Sequence, residues 1–292
     1  MNAANAQAAL QILQQTFGHE SFRGQQLPII DTVLEGGNAL VIMPTGMGKS
    51  LCYQVPALVH RAAATDPSAL TLVISPLIAL MKDQVDSLRA KGVSASFINS
   101  SLTRSEREKR YDDLGNREYD LLYVTPERFR KEEFVQQLAK RNIRLLAVDE
   151  AHCISEWGHD FRPDYTRIQE FRALVGNPPT VALTATATPE VQHDIVRQLG
   201  LNGDEIQLFH EGIDRPNLDL EVIDVWGEDE KLAAIVKAFE FIAEHGGSGI
   251  VYFTFSRRWS SSAIGCVNSV TVTWFITATS IEPVAVSCRL PS

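Results

Sequence analysis

The sequence predicts an α/β fold in which a central parallel β-sheet is covered by helices on both faces. Between about residues 38 and 209, short apolar runs alternate with segments of helical periodicity. Such alternation is typical of right-handed βαβ units, and runs nearly continuous in Val, Ile and Leu indicate strands buried on both faces. A turn-rich break then precedes a second, incomplete α/β unit.

The predicted elements of the first unit follow from these two patterns. An amphipathic helix without a positive leader segment opens the chain at residues 1–17. Apolar runs predict five strands, at residues 39–43, 70–75, 120–125, 144–149 and 180–185. A period of 3.6 residues predicts four helices, at residues 50–60, 77–90, 105–114 and 189–199.

A change of composition divides the chain into regions. We predict a first domain over residues 1–211, a linker over 212–217 (GIDRPN), and the start of a second domain over 218–258. In the second, LDLEVIDVW and GSGIVYFTF are predicted strands, and EDEKLAAIVKAFEFIAEH is a predicted helix whose acidic start suits the helix dipole.

The segment 259–292 is anomalous, since Glu282 and Arg289 are its only charged residues. Two explanations stay open, a β-rich tail and the out-of-frame translation of a coding sequence, and we favour the second.

Bulk composition limits the function classes. The 292 residues carry a net charge of −9, so any nucleic-acid binding must come from a local basic groove. The four cysteines, Cys52, Cys153, Cys266 and Cys288, form no C-x-x-C pair, so we expect no zinc site and a reducing, cytoplasmic location, associated with the nucleoid in a bacterium. No apolar run is long enough to span a membrane, and we expect no membrane partner.

A glycine-rich turn, PTGMGKS at residues 44–50, lies between the first predicted strand and a helix. Backbone amides and a helix N-terminus in this arrangement cradle phosphate groups. Lys49 is predicted to reach the β- and γ-phosphates of ATP, and Ser50 to hold Mg²⁺. The strict motif has glycine where Met43 stands, so the match is to a relaxed form. The predicted ATP-binding residues of the loop are Thr45, Gly46, Gly48, Lys49 and Ser50.

Two carboxylates, Asp149 and Glu150, end the predicted strand LLAVD. Ligands of parallel α/β sheets bind at the carboxyl ends of the strands. Asp149 is predicted to bind Mg²⁺, and Glu150 to position and deprotonate an attacking water. Alone, the pair would be interpreted as solvated residues of a loop; together with Lys49 and Ser50 it indicates nucleotide hydrolysis, with Lys49, Asp149 and Glu150 as the catalytic residues.

The segments PTGMGKS, SPLIALMKDQ, YVTPERF, DEAH and LTATATP together resemble the first motor domain of superfamily-two helicases. FGHESFRGQQ and the aromatic loop after DEAH resemble, more narrowly, the RecQ family of DNA helicases, over roughly residues 17–217. The resemblance implies a RecA-like P-loop domain that uses ATP and Mg²⁺. It also implies 3′-to-5′ movement on single-stranded DNA, unwinding at single-strand/duplex junctions, and a role in DNA repair and recombination.

The resemblance also implies roles for single residues near the nucleotide. His19 and Arg23 would sandwich the adenine, and Gln26 would hydrogen-bond its edge. Residues linking the nucleotide site to the DNA face would be His152, Thr184 and Thr186.

On the DNA side, the resemblance implies stacking and backbone contacts. Trp157 and Phe161 would stack on unpaired bases, while Arg162 would bridge a phosphate or order the nucleotide site. Tyr165 is expected in the core instead. The implied contacts to the DNA backbone, which position without specifying sequence, are Ser75, Lys82, Thr125 and Arg128.

A second motor domain of that family supplies an arginine in a Q-x-x-R-x-G-R-x-G segment, and this pattern does not occur in the sequence. An arginine of this kind contributes about 10³–10⁵ in rate in other phosphoryl-transfer enzymes, so we expect weak unwinding by the chain as given. Three alternatives therefore stay open: a RecQ-type DNA helicase, a module that binds ATP and single-stranded DNA without unwinding, and a related RNA helicase.

Overall fold

We analysed a computed structural model of the chain, which describes residues 3–63, 66, 68–157, 161–212, 221–246, 249, 266–267 and 270–271. The chain divides into two compact units, Met1–Arg215 and Pro216–Ser292. None of the helices in the described residues is both long and apolar enough to cross a membrane.

The first unit alternates strands and helices. Its strands are β1 (Asn38–Ile42), β2 (Ala69–Ile74), β3 (Ala95–Ile98), β4 (Leu121–Val124), β5 (Asn142–Val148), β6 (Thr180–Thr184) and β7 (Ile206–His210). Its α-helices are α1 (Ala3–Ile12), α2 (Gln26–Leu34), α3 (Leu51–Ala62), α4 (Ile78–Ala90), α5 (Arg104–Gly115), α6 (Glu132–Leu138), α7 (Ile168–Leu174) and α8 (Pro189–Gln198). A π-helical segment, Leu13–Phe17, continues α1, and four short 3₁₀ helices lie at Pro126–Arg130, Ala151–Ile154, Pro163–Arg167 and Gly203–Glu205.

In the part of the chain that the structure describes, seven strands form one parallel sheet in the order β3-β4-β2-β5-β6-β1-β7. Strands β1 and β2, consecutive in the chain, are separated in the sheet by β5 and β6. The fold class predicted from the sequence is therefore confirmed. The order places the carboxyl ends of β5, β6 and β1 side by side, where a ligand site is expected.

Strands β3 and β7 and helices α2 and α6 of this unit were not predicted, whereas the helical spacing of IQEFRALV agrees with α7. Strand β3 has only four residues, and edge strand β7 alternates exposed and buried positions weakly. Both are held by pairing, β3 with β4 and β7 with β1, rather than by a strong apolar pattern of their own. Helices α2 and α6 are likewise short, at nine and seven residues, and depend on packing.

A buried arginine closes the edge of the sheet opposite the carboxyl ends. The Arg141 guanidinium, 7% exposed, donates hydrogen bonds to four backbone oxygens. Their donor–acceptor distances are 3.0 Å to Ser68, 3.2 Å to Leu114, 2.8 Å to Ala69 and 2.6 Å to Tyr119. This cluster ties β2, β5, α5 and the segment before β4 together.

The second unit is described only in part. Helix α9 (Glu228–His245) forms where it was predicted. The predicted strand over 218–226 is wrong for residues 221–226, which have no strand structure. Val222, Ile223 and Trp226 are exposed by 91, 59 and 88%, so their alternating pattern lacks the paired neighbour that a strand requires. Apart from Gly249, the predicted strand GSGIVYFTF lies outside the described residues.

Of the anomalous segment 259–292, the structure describes one short antiparallel pair, Cys266–Val267 with Val270–Thr271. The domain limits and the origin of this segment stay predictions.

Candidate functional site

The phosphate loop connects β1 to α3 at the carboxyl edge of the sheet. Gly46 and Gly48 have φ angles of 88° and 79°, a conformation that side-chain-bearing residues rarely adopt. The space a Cβ of Gly46 would enter is open, whereas a Cβ on Gly48 would lie 2.6 Å from the side chain of Gln26. Thr45 is exposed, and Ser50 stands directly before the first turn of α3. The loop thus has the backbone form of a phosphate cradle.

The Lys49 side chain lies across its own loop, where its Nζ donates a 2.9 Å hydrogen bond to the Met43 carbonyl oxygen. Burial lowers the pKa of Lys49, and the negative charges of Glu150 and Asp149 oppose this shift. Both carboxylates are therefore close enough to act on the ammonium group electrostatically. The structure brings together the three residues predicted to be catalytic.

Asp149 follows β5 directly, and its backbone N–H donates to the Ile74 oxygen at 2.8 Å. Burial and, to a lesser extent, the neighbouring Glu150 charge raise the pKa of its carboxyl to about 6, while the Glu150 backbone N–H, Lys49 and Ser75 act in the opposite direction. The Ser75 hydroxyl lies 3.5 Å from the carboxylate. A carboxyl group in this position is stabilised as an anion by a nearby cation.

Glu150 is held by a short polar chain that ends on β6. Its backbone is left-handed, with φ 49° and ψ 48°, a conformation that costs a residue of this kind about 1–3 kcal/mol. The His152 Nδ1 lies 3.3 Å from the Glu150 carboxylate and 3.0 Å from the Thr184 hydroxyl. That hydroxyl donates to the Thr186 carbonyl oxygen at 3.0 Å. The three residues expected to link the two faces of the site therefore form one chain, which reaches Glu150 through His152.

The segment expected to bind adenine lies beside the phosphate loop. His19 and Arg23 are exposed, whereas Gln26 is buried at the start of α2. The Gln26 amide nitrogen donates to the carbonyl oxygens of Met47 at 2.9 Å and Gly48 at 3.2 Å, and its oxygen accepts from the Arg23 N–H at 3.0 Å. Both amide hydrogens are thus used, so a bidentate pair with adenine requires the release of bonds to the loop.

A contact that the sequence did not predict fixes this segment to the end of β7. The backbone N–H of Gln25 donates to the Glu211 carboxylate, and the Gln25 side chain donates to the His210 oxygen at 3.1 Å. Gln25 belongs to the segment FGHESFRGQQ, but Glu211 lies 186 positions further along the chain and outside every motif described above, so no sequence signal identified the pair. The end of β7, the last strand of the first unit, therefore anchors the segment that is expected to bind adenine.

The aromatic loop follows the acidic strand end. Trp157 is 77% exposed, and its backbone N–H donates to the Ser155 hydroxyl at 3.2 Å. Phe161 is half-buried, and Tyr165 is fully buried in the core, as expected. The Arg162 guanidinium donates to the Pro76 oxygen at 3.1 Å, so it connects this loop to the segment SPLIALMKDQ. Trp157 is thus available for stacking, while Arg162 has an ordering contact.

The residues expected to contact the DNA backbone differ in accessibility. Lys82 is exposed on α4 and forms an ion pair with Asp86 at 2.8 Å. Arg128 is half-buried, and its Nε has no hydrogen-bond partner. Ser75 and Thr125 are 2 and 5% exposed, so in this arrangement their side chains do not face solvent. The Ser75 hydroxyl faces Asp149 instead, and the DNA contacts of all four residues stay predictions.

Comparison with known proteins agrees with this geometry. Residues 23–195, more than half of the chain, match the family described as DEAD/DEAH box helicase. The chain is 43% identical over 244 residues to the "ATP-dependent DNA helicase RecQ" of Haemophilus influenzae, a match that covers 84% of this chain and 37% of that protein. It is 46% identical over 217 residues to the protein of the same name from Bacillus subtilis, covering 74 and 35%. The chain therefore spans about a third of the length of these relatives.

A solved structure supports the fold alone. The helicase MrfA, in a crystal structure described as bound to DNA and AMPPNP, superimposes with a TM-score of 0.55 at 17% identity, over 72% of this chain and 30% of that one. From the matched residues and the phosphate, acidic and aromatic segments at one sheet edge, we conclude that the chain belongs to the DEAD/DEAH box helicase family and, within it, resembles the RecQ helicases.

Proposed function

We propose that the first unit is the ATP-hydrolysing motor domain of a RecQ-type DNA helicase. One observation carries the proposal: the phosphate loop, Asp149 and Glu150 meet at the carboxyl edge of three adjacent strands, and the aromatic loop follows only a few residues later. The relatives of similar sequence are named ATP-dependent DNA helicases. Unwinding of DNA from 3′ to 5′, through coupled movement on the single strand, is the activity proposed for the whole protein.

The chain's own residues suit phosphoryl transfer to water. The ammonium group of Lys49 would leave the Met43 oxygen for the β- and γ-phosphates, whose charge exceeds that of a carbonyl dipole. Glu150, held by His152, would orient the attacking water and accept its proton. The backbone amides around Gly46 and Gly48 would hold the phosphate oxygens.

The donors present also suit Mg²⁺. In the described residues, no group of three His, Cys, Asp or Glu side chains stands ready for a metal ion. This composition fits Mg²⁺, which binds one or two protein oxygens together with substrate phosphates and water. Ser50 and Asp149 would supply the protein oxygens, and the ion would neutralise phosphate charge during transfer.

Single-stranded DNA, up to its junction with duplex, is the proposed macromolecular ligand. The exposed Trp157 indole offers a stacking surface, a contact worth about 1–3 kcal/mol per base. Arg162 joins the same loop to Pro76, so that ordering of the loop by DNA acts on the segment next to Ser75 and Asp149. This arrangement supports DNA-stimulated hydrolysis, independent of sequence and sensitive to salt.

The test is ATP hydrolysis by the purified 292-residue chain, with and without single-stranded DNA and with RNA of the same length. We expect Mg²⁺-dependent hydrolysis that DNA stimulates more than RNA. Glu150→Gln should reduce the rate at least about 100-fold while nucleotide binding is retained, because only the water-activating group is lost. Lys49→Ala should also weaken binding of the nucleotide, because it removes a direct phosphate contact.

The matched control is Lys91→Ala, which removes an exposed lysine at the end of α4. It should hydrolyse ATP like the unchanged chain. Hydrolysis that survives Glu150→Gln undiminished would contradict the proposed site, and equal stimulation by RNA would favour an RNA helicase.

A further inference from the structure

A buried polar cluster lies beneath the phosphate loop and has no part in the proposed chemistry. It comprises Tyr53 and Gln54 on α3, Tyr123 on β4 and Gln84 on α4. Tyr53 and Tyr123 are each 1% exposed, and Gln54 is 6% exposed. The two phenol rings pack edge to face, with centroids 6.2 Å apart at an angle of 70°. Polar groups at such depth stabilise a structure only when they are hydrogen-bonded to one another.

The hydrogen bonds of this cluster form a continuous chain. The Gln54 amide nitrogen donates one hydrogen to the Gln84 oxygen at 2.9 Å and the other to the Tyr123 hydroxyl at 3.1 Å. The Tyr123 hydroxyl donates in turn to the Tyr53 hydroxyl at 3.5 Å. The backbone N–H groups of Tyr53 and Gln54 donate to the Ser50 carbonyl oxygen at 3.3 and 3.0 Å, which connects the cluster to the end of the phosphate loop. Each group therefore uses the donor or acceptor that its neighbour offers.

The two ends of the chain lie in different parts of the proposed motor. Ser50 closes the phosphate loop and is the proposed Mg²⁺ ligand. Gln84 is on α4 (Ile78–Ala90), the helix that carries Lys82, an exposed lysine expected to meet the DNA backbone. A displacement of α4 on DNA contact would change the hydrogen bonds of Gln54, and Gln54 lies in the first turns of the helix that follows the loop.

We propose that Tyr53, Gln54, Tyr123 and Gln84 are positioning residues that couple nucleotide binding at the phosphate loop to DNA binding at helix α4. The inference rests on the proposed function, since it assigns the route by which one ligand affects the other. A buried polar group that loses its hydrogen bond is costly, so a displacement at one end of such a chain favours an adjustment of the groups at the other end.

The test measures the dissociation constant of Mg²⁺–AMPPNP without DNA and with a saturating oligothymidylate. The ratio of the two constants is the coupling factor. Tyr123→Phe removes one hydroxyl and keeps the ring, and Gln84→Met removes the acceptor. Both should leave AMPPNP affinity without DNA within about 2-fold and reduce the coupling factor about 3- to 10-fold. Gln84→Glu keeps an acceptor oxygen at the same place and should retain the coupling factor.

The matched control is Tyr119→Phe, which removes the hydroxyl of another buried tyrosine, hydrogen-bonded to Asp113 at 2.9 Å, away from the loop. It should lower thermal stability and leave the coupling factor unchanged, which separates coupling from stability. If the unchanged chain couples the two ligands and Tyr123→Phe couples them equally well, the proposed link is wrong while the proposed function stands. If the unchanged chain shows no coupling, the proposed link is wrong, and the hydrolysis test with single-stranded DNA decides the proposed function separately.

Discussion

Two ionisable residues of the site, Asp149 and Lys49, are partly or largely buried, and burial shifts the pKa of each. Asp149 has a pKa raised to about 6, chiefly by burial, while burial lowers the pKa of Lys49. Both shifts disfavour the charged form of the group. Phosphate groups beside Lys49 and a cation beside Asp149 would each stabilise the charged form of that residue. The site therefore favours a ligand that brings both.

At the same scale, a substitution of Trp157 tests contact with DNA separately from contact with the nucleotide. Trp157→Ala removes an indole that is 77% exposed and therefore little involved in packing. We expect unchanged nucleotide affinity, a melting temperature within about 2 °C, and DNA stimulation of hydrolysis reduced about 10-fold, as the loss of one stacking contact predicts. Steady-state hydrolysis against DNA concentration checks this. Trp226→Ala, an equally exposed indole outside the loop, is the control, and full stimulation in Trp157→Ala would contradict the stacking role.

His60 on α3 predicts a dependence of stability on pH. Burial lowers its pKa to about 4, and the charge of Arg144 contributes in the same direction; its buried Nε2 has no hydrogen-bond partner. Because the folded-state pKa lies below the unfolded value, the stabilisation is complete above about pH 6.5 and is lost as the pH falls towards 4.

We expect the free energy of unfolding to fall by about 2 kcal/mol between about pH 7 and pH 4.5 through this group alone. Urea denaturation of the unchanged chain and of His60→Leu at both pH values isolates the contribution. An equal pH dependence in the two proteins would show that His60 is not the group responsible. His193→Leu, which removes an exposed imidazole on α8, is the control.

At the scale of elements, neighbouring strands and helices depend on a few buried polar contacts. Arg141 joins four backbone carbonyls of separate segments. The buried polar cluster of Tyr53, Gln54, Tyr123 and Gln84 joins α3, β4 and α4. Helix α5, by contrast, has a capping box at Thr103 and exposed ion pairs such as Arg104 with Glu108. Most of its basic run is therefore a solvated face, whereas Arg110 packs over the Phe97 ring at 4.1 Å.

Arg141→Met is predicted to be strongly destabilising. It removes the guanidinium from four carbonyl oxygens at a buried edge, of which Ser68 and Leu114 keep a backbone donor, and the cost of such a change is about 3–5 kcal/mol. Arg104→Met, which removes an exposed ion pair, should cost less than about 1 kcal/mol. Chemical denaturation of the two variants provides the comparison. Similar losses in both would mean that the Arg141 contacts are individually weak.

At the scale of the whole molecule, the first unit contains every proposed site residue. Unit Met1–Arg215 includes all seven strands of the parallel sheet, of which β7 is the last. It has a continuous core and encloses both faces of the sheet. The unit should therefore be independently stable.

We predict that residues 1–215 alone fold cooperatively and bind Mg²⁺–AMPPNP within about 3-fold of the affinity of the 292-residue chain. A fragment of residues 1–203 should not, because it lacks β7 and the Glu211 contact to Gln25. Thermal denaturation and nucleotide titration of both fragments test this. Equal affinity in the shorter fragment would show that β7 is dispensable for the site.

The local sequence pattern was sufficient to predict many strands of the first unit, the phosphate loop and the family. The apolar runs that became β1, β2, β4, β5 and β6 were recognisable because a strand buried on both faces needs continuous Val, Ile and Leu, whatever surrounds it. The phosphate loop was recognisable for a similar reason, since its glycines satisfy a backbone requirement that is local. Motif order along the chain also identified the family, and the predicted edge of the sheet holds Lys49, Asp149 and Glu150.

Only the tertiary structure decided the rest, because those features join residues that are distant in sequence. Strands β3 and β7 exist through pairing with their neighbours, and residues 221–226, which have the pattern of a strand, do not form one. The Glu211 contact to Gln25, the four carbonyls at Arg141 and the hydrogen-bond chain from Tyr53 to Gln84 have no sequence signature. Packing across the whole sheet decides which residue a side chain contacts, whereas the neighbouring residues in sequence largely decide whether a segment favours helix, strand or turn.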